Sequence, residues 1–396
     1  MVNFFQLLSA ILDNDPDRLL ISPSEKKIVA SYGESKTIQL KDYKDYQSFK
    51  SKVLITLENE NIGFGSLSFD ITNDSKQNSW SNFPLGEFTF PSYVFIFENN
   101  TISEYGKNDQ LKKQILESSK EKKLTRSIPI NNDNNHSPWI DLVEKAKLDI
   151  SKSNIQKIVV GESITYENLD IDIKQTLFNM TYEYPDCVTF LFKNSDDYFF
   201  GSTPEKVFNY NNGILITDAL AGSIPNKGQK EDQIRNMFNN SILQKEHKIV
   251  VEFLENQLLK ISNNKVKKSK LKIKSLSNVN HLLLELETNV DKNNFFEFIN
   301  LLHPSPALAG FPVNDAKQWI KSNENFHRGL YTGSIGYVEK NSSYFFAALR
   351  CAKFSSKYKN ITTFAGNGII ENSKTNYEIN ELKSKFEAIN RSIKVN

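Results

Sequence analysis

Short strand-like segments joined by tight turns place the strongest limit on the fold of this chain. The segment CVTFLFKNSDDYFFGS predicts a hairpin that turns at Asn194–Asp197, and KVFNYNNGILITDA predicts a second with Asn212–Gly213 as its turn. A third hairpin is predicted within YTGSIGYVEKNSSYFFAALRCAKF. Because tight turns join antiparallel strands, and long helical segments lie between these hairpins, the predicted class is α+β, not a doubly wound parallel sheet.

The helical segments are predicted from apolar residues at helical spacing. WIDLVEKAKLDI is predicted to be a helix with Ser137 as its N-cap and Pro138 in its first turn. A long helix is predicted over roughly 229–261, and a final helix over 376–389. Residues 106–138 are polar and lack aromatic side chains, which favours a helix followed by a surface connector.

Composition and charge exclude several classes of protein. The chain has 396 residues, of which 39% are hydrophobic, so it can bury a sizeable core. Its net charge of +2 gives no electrostatic reason to expect a nucleic-acid or membrane partner. No run of 18 apolar residues predicts a membrane span, and the N-terminal segment lacks the features of a signal peptide. With only Cys187 and Cys351, neither a disulfide framework nor a zinc site is expected, and a cytoplasmic location is predicted.

One glutamate lies where a core residue is expected. In SILQKEHKIVVEFLENQLL, Glu246 falls near the middle of the apolar stripe formed by Ile242, Ile249, Val250 and Phe253. A buried carboxylate there requires a cation or a hydrogen-bond partner. A metal ligand and a buried pair with a lysine both satisfy this requirement.

Two cations and a second glutamate raise the same question. Arg350 is interpreted as part of a central strand with two apolar faces, where it would bind a carboxylate or phosphate, or form a structural Arg–Glu pair. Lys157 lies between Ile155 and Val159, so it is either a desolvated general base or a lysine that extends to water. Glu205 follows a strand end, which suits a catalytic acid or a turn residue.

The final helix has charges on one flank of its apolar stripe. Glu378, Glu381 and Lys385 are spaced i, i+3 and i+7, which places them within an arc of about 60°. They form either a solvated ion-pair face or one wall of a binding site. No Walker A, HExxH, GxSxG or CxxC motif is present, and the GxG of FAGNGII is too little for a dinucleotide fingerprint. Any metal would therefore be held by carboxylates, and Mg²⁺ is the expected ion.

Ten segments together resemble the chorismate-utilising enzymes, in the order that the family shows. They cover about residues 155–390 and are KIVVGES, FFGSTPEKVF, TDALAGSIPNKG, QKEHKIVVEFL, VNHLLLELE, LLHPSPALAGFP, RGLYTGSIGY, AALRCAKF, FAGNGII and YEINELKSK. The resemblance implies the aminodeoxychorismate synthase-like fold, in which two packed, mainly antiparallel sheets are flanked by helices in α/β/β/α layers. We expect one domain over 1–396, with a variable part over 1–137 and a catalytic core over 138–396.

Within that family, HPSPALAGFP and LRCAKF resemble the corresponding segments of isochorismate synthases. Lys157 stands at a position where the members that use water as nucleophile have their general base, which is a further point of resemblance. The implied activity is reversible, Mg²⁺-dependent conversion of chorismate to isochorismate, by water attack at C2 and loss of the C4 hydroxyl. It would serve menaquinone or catechol siderophore synthesis. The alternatives are salicylate synthase, which goes on to eliminate pyruvate, an anthranilate or aminodeoxychorismate synthase component I, and a non-catalytic chorismate-binding protein.

The resemblance also implies roles for individual residues. Lys157 would deprotonate water, and Glu205 would protonate the departing hydroxyl. Glu246 and Glu381 would hold Mg²⁺, with Glu378 direct or through water. Substrate contacts are expected from Gly222, Ser223, His281, Ala307, Leu308, Tyr331, Leu349, Arg350, Gly366 and Lys385. Chorismate is the expected partner, and the protein is expected to be a monomer. A partner amidotransferase subunit, of the kind that amine-adding relatives use, is not expected.

Overall fold

The computed structural model describes residues 3–72, 80–118, 121–125, 130, 136–226, 236–262, 265–276 and 279–396. Its helices are α1 Phe4–Asp13, α2 Tyr46–Asn59, α3 Asp109–Glu117, α4 Ser137–Ser151, α5 Ile173–Glu183, α6 Ser241–Leu258, α7 Phe295–Leu302, α8 Val313–Asn323 and α9 Thr375–Asn390. Its strands are β1 Arg18–Ser22, β2 Lys27–Leu40, β3 Ile62–Leu67, β4 Gly86–Glu98, β5 Thr101–Tyr105, β6 Lys157–Tyr166, β7 Val188–Asn194, β8 Asp197–Thr203, β9 Lys206–Asn211, β10 Ile214–Pro225, β11 Lys267–Lys268, β12 Lys272–Ser275, β13 Val279–Asn289, β14 Gly310–Phe311, β15 Ser334–Glu339, β16 Ser342–Ala347, β17 Cys351–Ser355 and β18 Asn360–Ile369.

The strands form two arms that share β4. The first arm runs β5–β4–β2–β1–β7–β8–β17–β18–β6–β14, and the second runs β4–β3–β15–β16–β9–β10–β13, with β11 and β12 on the far side of β13. All these pairs are antiparallel, which confirms the α+β prediction. The two predicted sheets are joined into one hydrogen-bonded network because the 13-residue β4 pairs with β3 at one end and β5 at the other.

Four apolar clusters stack the arms and helices into layers. One cluster lies between the arms and joins Phe190 and Phe199 of the first arm to Phe64 and Ile335 of the second. Helices α1 and α5 cover one end of the first arm, and α4, α8 and α9 cover the other. Helices α2, α6 and α7 cover the second arm. The resulting order is α/β/β/α, as expected from the family resemblance.

The two tight turns form as predicted. In the β7–β8 hairpin, Asn194 pairs directly with Asp197. In the β9–β10 hairpin, Asn212 has φ of 47° and Gly213 has φ of 90°. Two positive φ values in a two-residue loop are typical of a type I′ turn, which asparagine and glycine adopt at low cost.

Helix boundaries differ from the prediction in two places. The α4 N-cap is His136, so Ser137 is the first helical residue and not the cap. The predicted helix over 229–261 is interrupted: residues 236–239 are helical, and α6 begins afresh after Asn240. The Asn240 side chain accepts hydrogen bonds from the backbone N–H groups of the first turn of α6, which stabilises a new helix start there. Residues 229–235 lie outside the described part of the chain.

The N-terminal part contributes to both arms, since β1 pairs with β7 and β3 pairs with β15. Helix α3 confirms the helix predicted within 106–138, whereas much of the predicted connector lies outside the described residues. The division of the chain at 137 stays a prediction. In the described ranges, no helix has both the length and the apolar character needed to cross a membrane.

Candidate active site

A cavity of about 140 Å³ lies where the two arms meet α6 and α9. It is lined from β6 and β18 of the first arm and from β10 and β13 of the second. All but one of the residues expected at the site line it: Lys157, Glu205, Ser223, Glu246, His281, Ala307, Leu308, Tyr331, Leu349, Arg350, Gly366, Glu378, Glu381 and Lys385. The exception is Gly222, whose φ is +71° and where an added Cβ would approach the carbonyl oxygen of Leu243 to 3.0 Å. That glycine is required by the close packing of α6 on β10.

Lys157 is the first residue of β6 and is almost completely buried. Its side chain is 1% exposed, and its Nζ lies 2.9 Å from Oε1 of Glu246 on α6. The alternative in which this lysine extends to water is therefore wrong. The alternative that gave Glu246 a lysine partner is confirmed, and the partner is the proposed base itself.

Glu205 lies at the junction between β8 and β9, with 6% of its surface exposed. Burial is the main cause that raises the pKa of its carboxyl to about 8, Asp218 raises it further, and Lys157 and Lys274 oppose the rise. The carboxyl is therefore mainly neutral at pH 7. A neutral carboxyl that faces a cavity can donate a proton to a leaving group.

Arg350 occupies a break between strands, which corrects the prediction of a central-strand position. β16 ends at Ala347, β17 begins at Cys351, and Arg350 between them has φ of 46°. The side chain is buried, and its Nη1 has no hydrogen-bond partner. Across the described ranges, no carboxylate forms an ion pair with it, so the structural Arg–Glu pair is not seen there. The guanidinium is instead 5.8 Å from the centre of the Tyr184 ring.

His281 adds a second unsatisfied polar group to the same cavity. Its Nδ1 lies 2.8 Å from Oγ of Ser223, while its Nε2 is buried without a partner. Burial, followed by the charges of Arg350 and Lys385, lowers the pKa of the imidazole well below its usual value. The ring is therefore neutral. Buried groups of this kind are normally hydrogen-bonded, so the cavity is suited to a ligand that carries oxygen atoms.

The flank of α9 forms one wall of this cavity. Lys385 Nζ lies 2.8 Å from Oε1 of Glu381, one turn away. Burial raises the pKa of Glu378 to about 8, and the negative charges of Glu381 and Glu246 raise it further. The three carboxylates thus lie near enough to repel one another, and among the described residues a lysine pairs with only two of them. The solvated-face interpretation of this flank is wrong for these residues.

This donor set fits a hard cation by its chemistry, because carboxylate oxygens are the ligands that Mg²⁺ prefers and a cation would relieve the repulsion on Glu378. In the described part of the chain, no three acidic, histidine or cysteine side chains form a ready-made metal site. Lys157 and Lys385 neutralise two of the carboxylates in this arrangement.

Arg328 supports the cavity and was not predicted from the sequence. It is buried, pairs with Glu324, and donates hydrogen bonds to the carbonyl oxygens of Leu308 at 3.0 Å and Val159 at 2.8 Å. Both of these residues line the cavity. The i, i+4 spacing of Glu324 and Arg328 was the available signal, but such spacing usually indicates an exposed pair.

Comparison with known proteins places this site in a family context. A sequence model described as chorismate binding enzyme matches residues 1–394. Isochorismate synthase MenF of Haemophilus influenzae is 30% identical over 273 residues, which is 66% of this chain and 62% of that relative. Isochorismate synthase MenF of Bacillus subtilis is 23% identical over 375 residues, covering 87% and 79% of the two chains. The alignment thus spans less than two thirds of the length of the first relative.

Solved structures share the fold. MenF, the menaquinone-specific isochorismate synthase from Escherichia coli, superposes with a TM-score of 0.78 at 20% identity, covering 97% of this chain and 90% of that one. Anthranilate synthase component I from Streptococcus pneumoniae gives 0.75 at 17% identity, with 92% of each chain covered. At these identities the similarity establishes the predicted fold alone.

Proposed function

The chain belongs to the chorismate binding enzyme family, and we propose that within it the protein is a magnesium-dependent isochorismate synthase. One observation carries this proposal: a buried lysine, a carboxyl held neutral at pH 7 and an arginine without a carboxylate partner among the described residues line the same cavity. Those are the groups needed to add water to one carbon of a dicarboxylate and remove hydroxyl from another. The relatives named isochorismate synthase MenF support the assignment.

The cavity is suited to a dicarboxylate because of its cations. Arg350 would hold one substrate carboxylate by charge-assisted hydrogen bonds, which its buried Nη1 otherwise lacks. Lys385 lies on the α9 wall and would approach a second carboxylate. The neutral His281 would direct Nε2 at a substrate oxygen, so substrate binding would satisfy two buried groups at once.

Lys157 and Glu205 would divide the proton transfers. Water would bond to C2 as its proton passes to Nζ of Lys157, which must first give up a proton of its own and leave the ion pair with Glu246. The ring double bonds would shift, the C4–O bond would break, and the departing oxygen would take the Glu205 proton to leave as water. The pKa of about 8 keeps Glu205 protonated at neutral pH, as this role requires. The reaction can run in both directions because each group can carry out the reverse transfer.

Glu246, Glu381 and Glu378 would hold Mg²⁺. When bound, the ion would supply positive charge that offsets the ring carboxylate. Within this proposal, the product would serve menaquinone or catechol siderophore synthesis, and the protein would act as a cytoplasmic monomer.

Product analysis tests the proposal directly. Purified protein would be incubated with chorismate and MgCl₂, or with EDTA, and the products separated by chromatography. We expect isochorismate with Mg²⁺ and none with EDTA. Lys157→Met should lower kcat by at least ~10²-fold, the lower end of what a general base contributes. Lys27→Met is the matched control, since Lys27 pairs with Glu98 at 2.8 Å and does not line the cavity.

Other outcomes would identify a different function. Salicylate with pyruvate would indicate a salicylate synthase, and anthranilate formed with ammonia would indicate the amine-adding branch. Stabilisation of the protein by chorismate with no product would indicate a binding protein. Wild-type turnover by Lys157→Met would show that another group is the base.

A further inference from the structure

Most of the segment FAGNGII lies on β18, where two glycines flank a buried asparagine. Gly366 and Gly368 line the cavity. A Cβ at position 366 would come within 2.8 Å of Oη of Tyr331, and one at 368 within 2.5 Å of Cε of Lys157. The glycines are therefore needed to leave space for the cavity. Asn367 lies between them on the opposite face of the strand, 1% exposed, and is directed at α9.

The Asn367 amide joins two functional groups of α9. Its Nδ2 donates to the carbonyl oxygen of Glu378 at 2.7 Å and to Oε2 of the same residue at 3.1 Å. Its Oδ1 accepts a hydrogen bond from Nζ of Lys385 at 3.0 Å. The orientation of the amide is fixed, because an ammonium group can only donate. One side chain thus holds a carboxyl group with one end and an ammonium group with the other.

These contacts hold the two α9 groups against β18. The Nδ2 donor of Asn367 holds the Glu378 carboxyl towards the strand. Lys385 is attracted by Glu381, and the amide oxygen, with the carbonyl oxygen of Gly366 at 2.8 Å, holds its ammonium against the strand. Loss of the amide would leave two partly buried polar groups short of a hydrogen bond.

We propose that Asn367 is a positioning residue that orients Glu378 for cation binding and Lys385 for the substrate carboxylate. It acts through these two residues and does not itself line the cavity. This role rests on the proposed function. Removing a residue that hydrogen-bonds to a metal ligand typically lowers metal affinity or activity by about 10–100-fold.

The test is Asn367→Leu, which keeps the approximate volume and removes both polar ends. Asn390→Leu is the matched control: Asn390 is a buried asparagine at the end of α9, and its amide donates to Oη of Tyr166, outside the cavity lining. The Mn²⁺ dissociation constant is measured by electron paramagnetic resonance without chorismate, and kcat and KM are measured with it. We expect Asn367→Leu to weaken Mn²⁺ binding and to raise KM by ~10-fold each, with Asn390→Leu within twofold of wild type.

The outcomes separate this role from a structural one. A merely structural role would lower the folded fraction and affect both variants alike, whereas a positioning role changes Mn²⁺ affinity and KM of the folded protein. If Asn367→Leu does not fold, Asn367→Ala is measured in its place. If a folded Asn367 variant has the same Mn²⁺ affinity and KM as the wild type, the positioning role of Asn367 is overturned and the proposed function is unaffected. Wild-type protein that forms no isochorismate would overturn the proposed function.

Discussion

Two ionisable side chains in the cavity are compensated within the protein, each in a different way, and a third is not. Lys157 has a carboxylate partner on another element, with Oε1 of Glu246 at 2.9 Å. Glu205 is neutralised by its raised pKa. Arg350 has neither kind of compensation among the described residues, and its Nη1 is left without a hydrogen bond. Since a buried charge without a partner is costly, we infer that the missing partner of Arg350 is a ligand.

Glu205 gives the reaction a predictable pH dependence. Its pKa is raised from 4.5 to about 8, so the protonated acid persists up to about pH 8 and is lost above it. We therefore expect kcat/KM to fall as pH rises through about 8, because the proton donor ionises. A pH profile with saturating Mg²⁺ would show this. Glu205→Gln should be inactive throughout, and a profile that stays flat to pH 10 would contradict the assignment.

The same pKa shift has a consequence for stability. The folded state binds this proton more tightly than the unfolded state, so the associated stability is fully present below about pH 4.5 and is lost as pH rises to about 8. The wild type should therefore lose stability relative to Glu205→Gln across that range. Urea unfolding of both proteins at pH 5 and pH 9 would measure the difference.

Arg350→Met should weaken substrate binding with little change in fold. A hydrogen bond to a charged group contributes about 1.5–3 kcal/mol, which corresponds to a rise in KM of roughly 10–150-fold. Steady-state kinetics with chorismate would measure it. Arg391→Met is the matched control, because Arg391 also lies over the Tyr184 ring, at 5.4 Å, but does not line the cavity. Equal KM values for the two variants would rule out the carboxylate role.

At the scale of elements, the cavity depends on how β18 is placed between β6 and α9. Strand pairing sets Gly368 opposite Val159 and Gly366 opposite Gly161, which fixes the height of the glycines relative to Lys157. The alternation along β18 then directs the glycines to the cavity and Asn367 to α9. A one-residue slip of this register would exchange the two faces.

Gly368→Ala should therefore impair the site without disrupting the sheet. The added Cβ would lie 2.5 Å from Cε of Lys157 and 2.7 Å from Oε1 of Glu246, so this ion pair must move. A displacement of about 1 Å in an active site can cost ~10²-fold in rate, and we expect a loss of that order in kcat. Kinetics and thermal unfolding should be measured together. Full activity would show that the pair moves freely.

At the scale of the whole molecule, the two arms are joined through β4, and a buried ion pair anchors the end of β4 that pairs with β3. Arg18 of β1 and Glu87 of β4 lie 2.8 Å apart, with side chains 1% and 5% exposed. Arg18 also donates to Oδ1 of Asn194 at the end of β7. This cluster therefore joins the N-terminal strands β1 and β4 to the β7–β8 hairpin.

Arg18→Met should destabilise the whole fold. Removing one member of a buried pair leaves an uncompensated charge and costs about 3–5 kcal/mol. Urea unfolding would measure the loss. The exposed pair between Lys267 and Glu287 is the control, since Lys267→Met should cost less than about 1 kcal/mol. A loss below 1 kcal/mol for Arg18→Met would show that the cluster does not stabilise the fold.

Features decided within a few residues were predictable from the sequence. The Asn212–Gly213 turn, the Asn194–Asp197 hairpin and the flank of α9 depend on local conformation and helical spacing, and all three form as predicted. The order of ten segments indicated the family, and with it the α/β/β/α layers and the residues of the cavity. The interruption of the predicted helix at Asn240 was not foreseen. The apolar pattern continues through this position, but the Asn240 side chain caps a new helix there.

Only the tertiary structure decided which charges meet. Lys157 and Glu246 are 89 positions apart in the numbering, since 246 − 157 = 89, and nothing in either segment specifies the other as its partner. The positive φ of Arg350 and the amide bridge from Asn367 to α9 also depend on strands packed from distant parts of the chain. Sequence pattern fixes which face of an element a side chain occupies. Pairing register and helix packing determine what that side chain contacts, because those contacts form only when separate elements are brought together.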